Sequence, residues 1–301
     1  MAKDIAASIR QKLRDLARER GEDFDYVLRQ FVIQRVLFRL GHSEHVEQFL
    51  LKGALLFWVW NKDFHRPTRD IDLLTYTDND VNHILGIFQQ IISTEADDGL
   101  VFDVDALKGM EINEDADYTG VRVTGFANLR SARVPFQIDV GYGDVIVPAS
   151  EEAEIPSFLD LPAAKLRIYP VYTVIAEKFQ AMVMLGLANS RMKDFYDIGV
   201  IASGTPLDGD LLLRALKATF ERRKTEFKNE PLYIFSDDFS HNEGKKTQWK
   251  AFLNKNNLNP KTDFPQIVND VQKLLKPVYS SIVNQKSFNM QWSFDEFQWK
   301  E

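Results

Sequence analysis

The chain has 301 residues, of which 45% are hydrophobic and 27% charged, with a formal net charge of -7 and no cysteine. That composition suits an ordinary globular protein with enough chain for one large domain or two modest ones, and it excludes disulfides, thiolate nucleophiles and cysteine-zinc sites. No run approaches the roughly eighteen consecutive apolar residues of a membrane span, and the stretch MAKDIAASIRQKLRDLARER is too charged for a signal peptide. The expected setting is therefore the cytoplasm, away from any membrane.

Ile5, Ile9, Leu13 and Leu16 repeat at helical spacing, and after Gly21 the set Val27, Phe31, Val36, Leu37 and Leu40 does the same before Gly41. Arg10, Lys12, Arg14, Arg18 and Arg20 are interleaved with acids and read as a solvated face. A third apolar helix is expected from about residue 46 to 60, enclosing Lys52-Gly53-Ala54. A glycine there costs about 1 kcal/mol of helix stability against alanine. It either permits close packing on a sheet or lets backbone approach a phosphate.

The run from His65 to Leu74, HRPTRDIDLL, carries the strongest chemical signal. Asp70 and Asp72 alternate with Ile71 and Leu73, so on a strand both carboxylates share one face, with α-carbons about 6.6 Å apart at a rise of about 3.3 Å per residue. Such a pair is either a solvated strand edge or the hard-oxygen anchor for two divalent cations about 3.5 to 4 Å apart, as in phosphoryl transfer. Arg66 and Arg69 beside it, the upstream glycine and a later strand-borne acid at Asp139 favour the second.

Thr77-Asp78-Asn79 supplies cap chemistry for a helix to about residue 92. Residues 100 to 107, 120 to 126 and 134 to 140 then alternate as a largely antiparallel set of strands. Asp139, within FQIDVGYGD, is placed to join Asp70 and Asp72 and to accept a proton from an attacking hydroxyl. Asp103 and Asp105 repeat the spacing without a nearby arginine or glycine and read as an exposed strand face.

Pro148, Pro156, Pro162 and Pro170 punctuate a bridge between two lobes. Beyond it, Thr173 is expected to cap a helix ending near Gly186 and Ser190 to cap the next. Lys178 falls in the first of these helices, and Arg191, Lys193, Asp194 and Asp197 crowd the start of the second. Their spacing alone is also that of a surface ion-pair cluster.

The ordered set KGA, RPTRDIDLL, QIDVGYGD, AEKFQAM and NSRMKDFYDI resembles the AbiEii/AbiGii-type nucleotidyltransferase toxins of type IV toxin–antitoxin systems, within the DNA polymerase β-like nucleotidyltransferase superfamily. The likeness covers roughly residues 15 to 202, with one departure at Ala54, where the superfamily usually carries a second glycine or a serine. It implies an α+β fold: a mixed-sheet nucleotidyltransferase core with a helical N-terminal layer over residues 1–165, and a mainly helical C-terminal lobe over 166–301, with the cleft between them. It implies that Asp70, Asp72 and Asp139 bind Mg2+ or Mn2+, that Lys178 contacts nucleotide phosphates and that Asp194 supports the site. Because acids alone repel a triphosphate, cations must neutralise the rest, drawn from Arg66, Arg69, Lys178, Arg191 and Lys193, and the implied nucleotide-binding set also includes Lys52 and Gly53. The implied reaction moves a nucleoside monophosphate from an NTP onto an RNA hydroxyl, the tRNA 3′ end above all, and so blocks translation; the implied partner is a cognate antitoxin protein encoded nearby. The alternative acceptor is a small molecule such as an antibiotic, or a protein side chain.

From Arg214 to Lys276 there are thirteen lysines and arginines against eight acids, a basic stretch that suits either an RNA backbone or a soluble helical surface. The tail FNMQWSFDEFQW is aromatic enough to pack on the body or on a partner.

Overall fold

The computed structural model describes residues 4–61, 66–115, 118–259 and 262–301; His65 lies outside them. The chain forms two compact units, the first comprising residues 1–143 and 151–169, the second 144–150 and 170–301.

The first unit contains α1 (Ile5–Arg20), α2 (Phe24–Gly41), β1 (Phe49–Lys52), α3 (Leu55–Asn61), β2 (Asp70–Thr75), α4 (Val81–Ile92), β3 (Val101–Phe102), β4 (Lys108–Asp115), β5 (Tyr118–Leu129), β6 (Ala132–Tyr142), β7 (Glu151–Ile155) and β8 (Ala164–Ile168). Its sheet runs β3-β5-β6-β2-β1-β8-β7, with β4 also on β5. β2 is parallel to β6 and β1 to β8, while the remaining pairs are antiparallel. The sheet is therefore mixed, as expected.

One face of the sheet is core. Ile71, Leu73, Val121, Val123, Ile138 and Val140 are buried there. α2 is buried around most of its circumference and packs on β6 and β8. A helix apolar on all sides is one covered on all sides. Gln30 on α2 donates to the Thr68 carbonyl (2.8 Å), which ties this helix to the segment leading into β2. Arg35 and Arg39 on α2 both bond the fully buried Asp98, at 2.8 and 2.6 Å.

Several local expectations are corrected. Residues 46–60 are not one helix: Phe49–Lys52 is a fully buried strand, and Gly53 turns the chain into the short α3. Residues 100 to 107 are not one strand, because a 3-10 turn at Val104–Ala106 separates β3 from β4 and carries Asp105, with Asp103 just before it; both acids are exposed. Asp80 caps α4, not the preceding Thr77 to Asn79.

The second unit contains α5 (Val171–Leu185), α6 (Met192–Gly204), β9 (Leu207–Asp208), α7 (Gly209–Arg222), α8 (Asp237–Ser240), α9 (Glu243–Lys255), α10 (Phe264–Val283), β10 (Gln291–Ser293) and β11 (Gln298–Lys300). Stacked aromatics fill it: Phe179, Phe220, Phe227 and Tyr279 form one group, and Phe195, Phe239, Trp249 and Phe264 another. The aromatic tail packs on this unit. β10 and β11 extend β9 into a small sheet, and the indoles of Trp292 and Trp299 donate to the carbonyls of Ala202 and Leu274.

Neither expected cap holds here, since Thr173 lies inside α5 bonded to Val147 and Arg191 precedes α6. By length and mean hydropathy (1.3) the window Val171–Ala188 is apolar enough to cross a membrane. Its buried residues, however, belong to the unit's core, and it carries Lys178 into an ion-pair cluster.

Candidate active site

The sheet's open face carries a charged row that crosses four strands. Lys52 on β1 is the register partner of Asp72, Asp72 of Asp139 on β6, and Asp139 of Arg122 on β5. Register partners project to the same side of a sheet, so the order is cation, acid, acid, cation. Asp70 adds a third carboxylate to this face, two residues before Asp72 and opposite Gln137.

Arg122 clamps Asp139 with two bonds of 2.8 Å, Nε to Oδ1 and Nη2 to Oδ2, and Gln137 donates to the same Oδ2 at 3.1 Å. A carboxylate offers about four acceptor positions. Both on Oδ2 are taken, which leaves one on Oδ1 for other chemistry. Arg122 is held above the usual guanidinium range, first by its bond to Asp139 and, against the opposing effect of burial, by the charges of Asp139, Asp70 and Asp72. It thus feels all three acids.

Gly53 explains the sharp end of β1. Its φ of +76° favours glycine, and a Cβ placed there would lie 2.0 Å from Asp72 Oδ2. The Asp72 carboxylate folds over the bare backbone of this turn. Gly53→Ala is expected to cost about 1–2 kcal/mol in backbone strain and to displace the carboxylate, lowering turnover about 100-fold. Steady-state kinetics beside a melting curve checks this; wild-type turnover would refute the packing argument.

Among the described residues no three histidine, aspartate or glutamate side chains converge as a ready-made metal cage. The donor set still fits a hard divalent cation: Asp70 and Asp72 present carboxylate oxygens from one half-exposed strand face, and Oδ1 of Asp139 lies in the adjacent strand. Of the expected cations, Lys52 is buried, Arg66 half-buried and Arg69 exposed just before β2.

In the second unit, the residues singled out in sequence meet each other. Lys178 Nζ donates to Asp194 (3.0 Å) and Asp197 (2.7 Å), while Arg191 Nε bonds the other oxygen of Asp194 (2.7 Å). Asp194 and Asp197 are buried, so this is not a surface ion-pair cluster. Lys193 is exposed beside it. Lys245 is not a surface cation either. It is buried, pushed down from the ordinary lysine range by that burial, and donates to the Asn189 carbonyl at 2.6 Å, anchoring the segment before α6.

Neither Arg122 nor Gln137 stands out in the sequence. Arg122 alternates with Val121 and Val123, a pattern that places it on the open face; its pairing with Asp139 has no local signature.

A mixed sheet with two acids on one strand, a third on the parallel neighbour and a tight glycine turn beside them is the arrangement the resemblance to nucleotidyltransferases leads one to expect. The sequence profile described as "Nucleotidyl transferase AbiEii toxin, Type IV TA system" matches residues 35–276. The chain belongs to this family and is a nucleotidyltransferase toxin of a type IV toxin–antitoxin system, which has an antitoxin partner and an NTP substrate. Two solved structures from Helicobacter pylori are similar to it. JHP933 matches with 13% identity and a TM-score of 0.46, covering 85% of this chain and 94% of its own. A protein assigned as a nucleotidyltransferase matches with 12% identity and a TM-score of 0.49, covering 87% and 98%. No curated protein matches the sequence.

Proposed function

We propose that this toxin transfers a nucleoside monophosphate from an NTP to a hydroxyl of RNA, at the tRNA 3′ end, and so blocks translation in the cytoplasm. The observation that carries this reading is the row Lys52–Asp72–Asp139–Arg122 with Asp70 beside it. Its acids are gathered on one open face, and its cations are spaced to offset them.

Asp70 and Asp72 would hold Mg2+ or Mn2+, which when bound neutralises phosphate charge and polarises the phosphorus centre; the one open position on Asp139 Oδ1 is kept for the acceptor. In the reaction the acceptor oxygen forms a bond to the α-phosphorus and the bond to the β-phosphate bridging oxygen breaks, releasing pyrophosphate. The hydroxyl proton passes to Asp139 Oδ1, whose orientation Arg122 and Gln137 fix. Lys52 and the Gly53 backbone receive the triphosphate from the β1 side, with Arg66 adding charge. In the second unit, Lys178, Arg191 and Lys193 form a group of cations suited to phosphate, with Asp194 positioning Lys178 and Arg191.

The test is incubation with each NTP labelled at the α-phosphate, total cellular RNA and magnesium. RNA is expected to acquire label, and a chelator to abolish it until magnesium or manganese is restored. Label on a protein or an antibiotic with RNA untouched would favour the alternative acceptors. Full transfer in the chelator would refute the metal assignment.

A further inference from the structure

We propose that a notch at the head of β2 seats the terminal nucleotides of a single-stranded RNA acceptor; this rests on the RNA reading above. β2 pairs with β6 only from Asp70 opposite Gln137, whereas β6 extends back to Ala132. The gap is a depression of about 430 Å³ walled by Arg29 on α2, Arg69 and Asp70, Lys108 at the start of β4, Phe126 and Gln137. That is the size of a ligand site.

Three cations face one carboxylate there. Arg29, Arg69 and Lys108 all line the notch beside Asp70, which gives it a net positive wall. Such a group is matched by a phosphodiester chain. Phe126 forms one wall, and the Arg133 guanidinium lies 3.8 Å from its ring centroid, offering a planar cation on which a base can stack.

The notch lies on the flank an acceptor needs. In-line displacement requires nucleophile and leaving group on opposite sides of the α-phosphorus. Lys52 and Gly53 lie on the β1 side of the acids, and the notch opens on the β6, β5 and β4 side. Gln137 lines it and also holds Asp139 Oδ2, so an acceptor seated here delivers its terminal hydroxyl toward the open position on Oδ1.

The experiment uses the full chain, α-labelled NTP and tRNA, comparing wild type with Lys108→Glu and with the Arg29→Gln/Lys108→Glu double variant. Lys108 is exposed, so the single variant guards against a folding failure of the double. The RNA KM is expected to rise at least tenfold in the double variant while the NTP KM stays within twofold. The slope of log KM against log salt should become shallower by about 0.7 per cation removed, and Lys108→Arg should restore the wild-type value. An unchanged RNA KM, or a rise in the NTP KM instead, overturns the notch assignment while leaving transfer to RNA intact. Wild-type protein that labels no RNA overturns the underlying reading, and this inference with it.

Discussion

Asp72→Asn is expected to lower nucleotidyl transfer by at least about 10²–10³-fold while leaving the fold unchanged. The substitution is isosteric and falls on the half-exposed face of β2, so the packing of Ile71 and Leu73 on the other face is undisturbed. It removes the anionic member of the row that Lys52 and Asp139 flank in register, and it replaces one acceptor oxygen with a donor. Single-turnover rates at saturating NTP, beside circular dichroism melts, separate the chemical effect from a folding effect. Wild-type rates in a folded variant would show that the row is not where transfer occurs.

Asp98→Ala is expected to destabilise the first unit by about 3–5 kcal/mol, the usual result of leaving buried charge unpaired. Asp98 is fully buried and receives Arg35 Nε, both terminal nitrogens of Arg39 and the Leu100 N–H. Its removal strands two guanidinium groups whose flat faces cover Phe38 and Phe102. Burial alone raises the Asp98 carboxyl, yet its bond with Arg39, the Arg39 charge and the bonds from Arg35 and Leu100 together hold it below its ordinary 3.8. Burial outweighs pairing for Arg35, which is pushed down. A carboxyl lowered on folding contributes stability that is fully present above its unfolded value and lost as pH falls through its folded one. The melting difference between wild type and variant, roughly 10 °C or more near neutral pH, should therefore hold down to about pH 4 and shrink below it. Equal melting temperatures at pH 7 would contradict the role given to the triad.

What the sequence shows about the site follows from how local each signal is. Alternation around Asp70 and Asp72 announces a strand with its acids on one face, and the structure keeps that face open. The pairing of Asp72 with Asp139 depends on register between strands more than sixty residues apart. Periodicity carries no such information. The same holds for Arg122, whose alternation is visible and whose partner is not. Phe49–Leu51 reads as helix because a strand buried on both faces has no alternation to betray it. Lys245 reads as surface because lysines usually are; only the packing of α9 near Asn189 buries it. The aromatic tail, whose composition suits packing on the body or on a partner, gains its place from the β9 edge that it completes.

The central claim is that the acidic row directs an NTP's α-phosphate to the 3′ terminus of RNA. The most direct measurement compares intact tRNA with tRNA ending in a 2′,3′-dideoxynucleotide, each incubated with α-labelled NTP, magnesium and the toxin. Intact tRNA is expected to acquire label that maps to its 3′ end, and the dideoxy-terminated RNA to acquire none. Equal labelling of both, or label recovered only on a protein or a small molecule, would contradict the account.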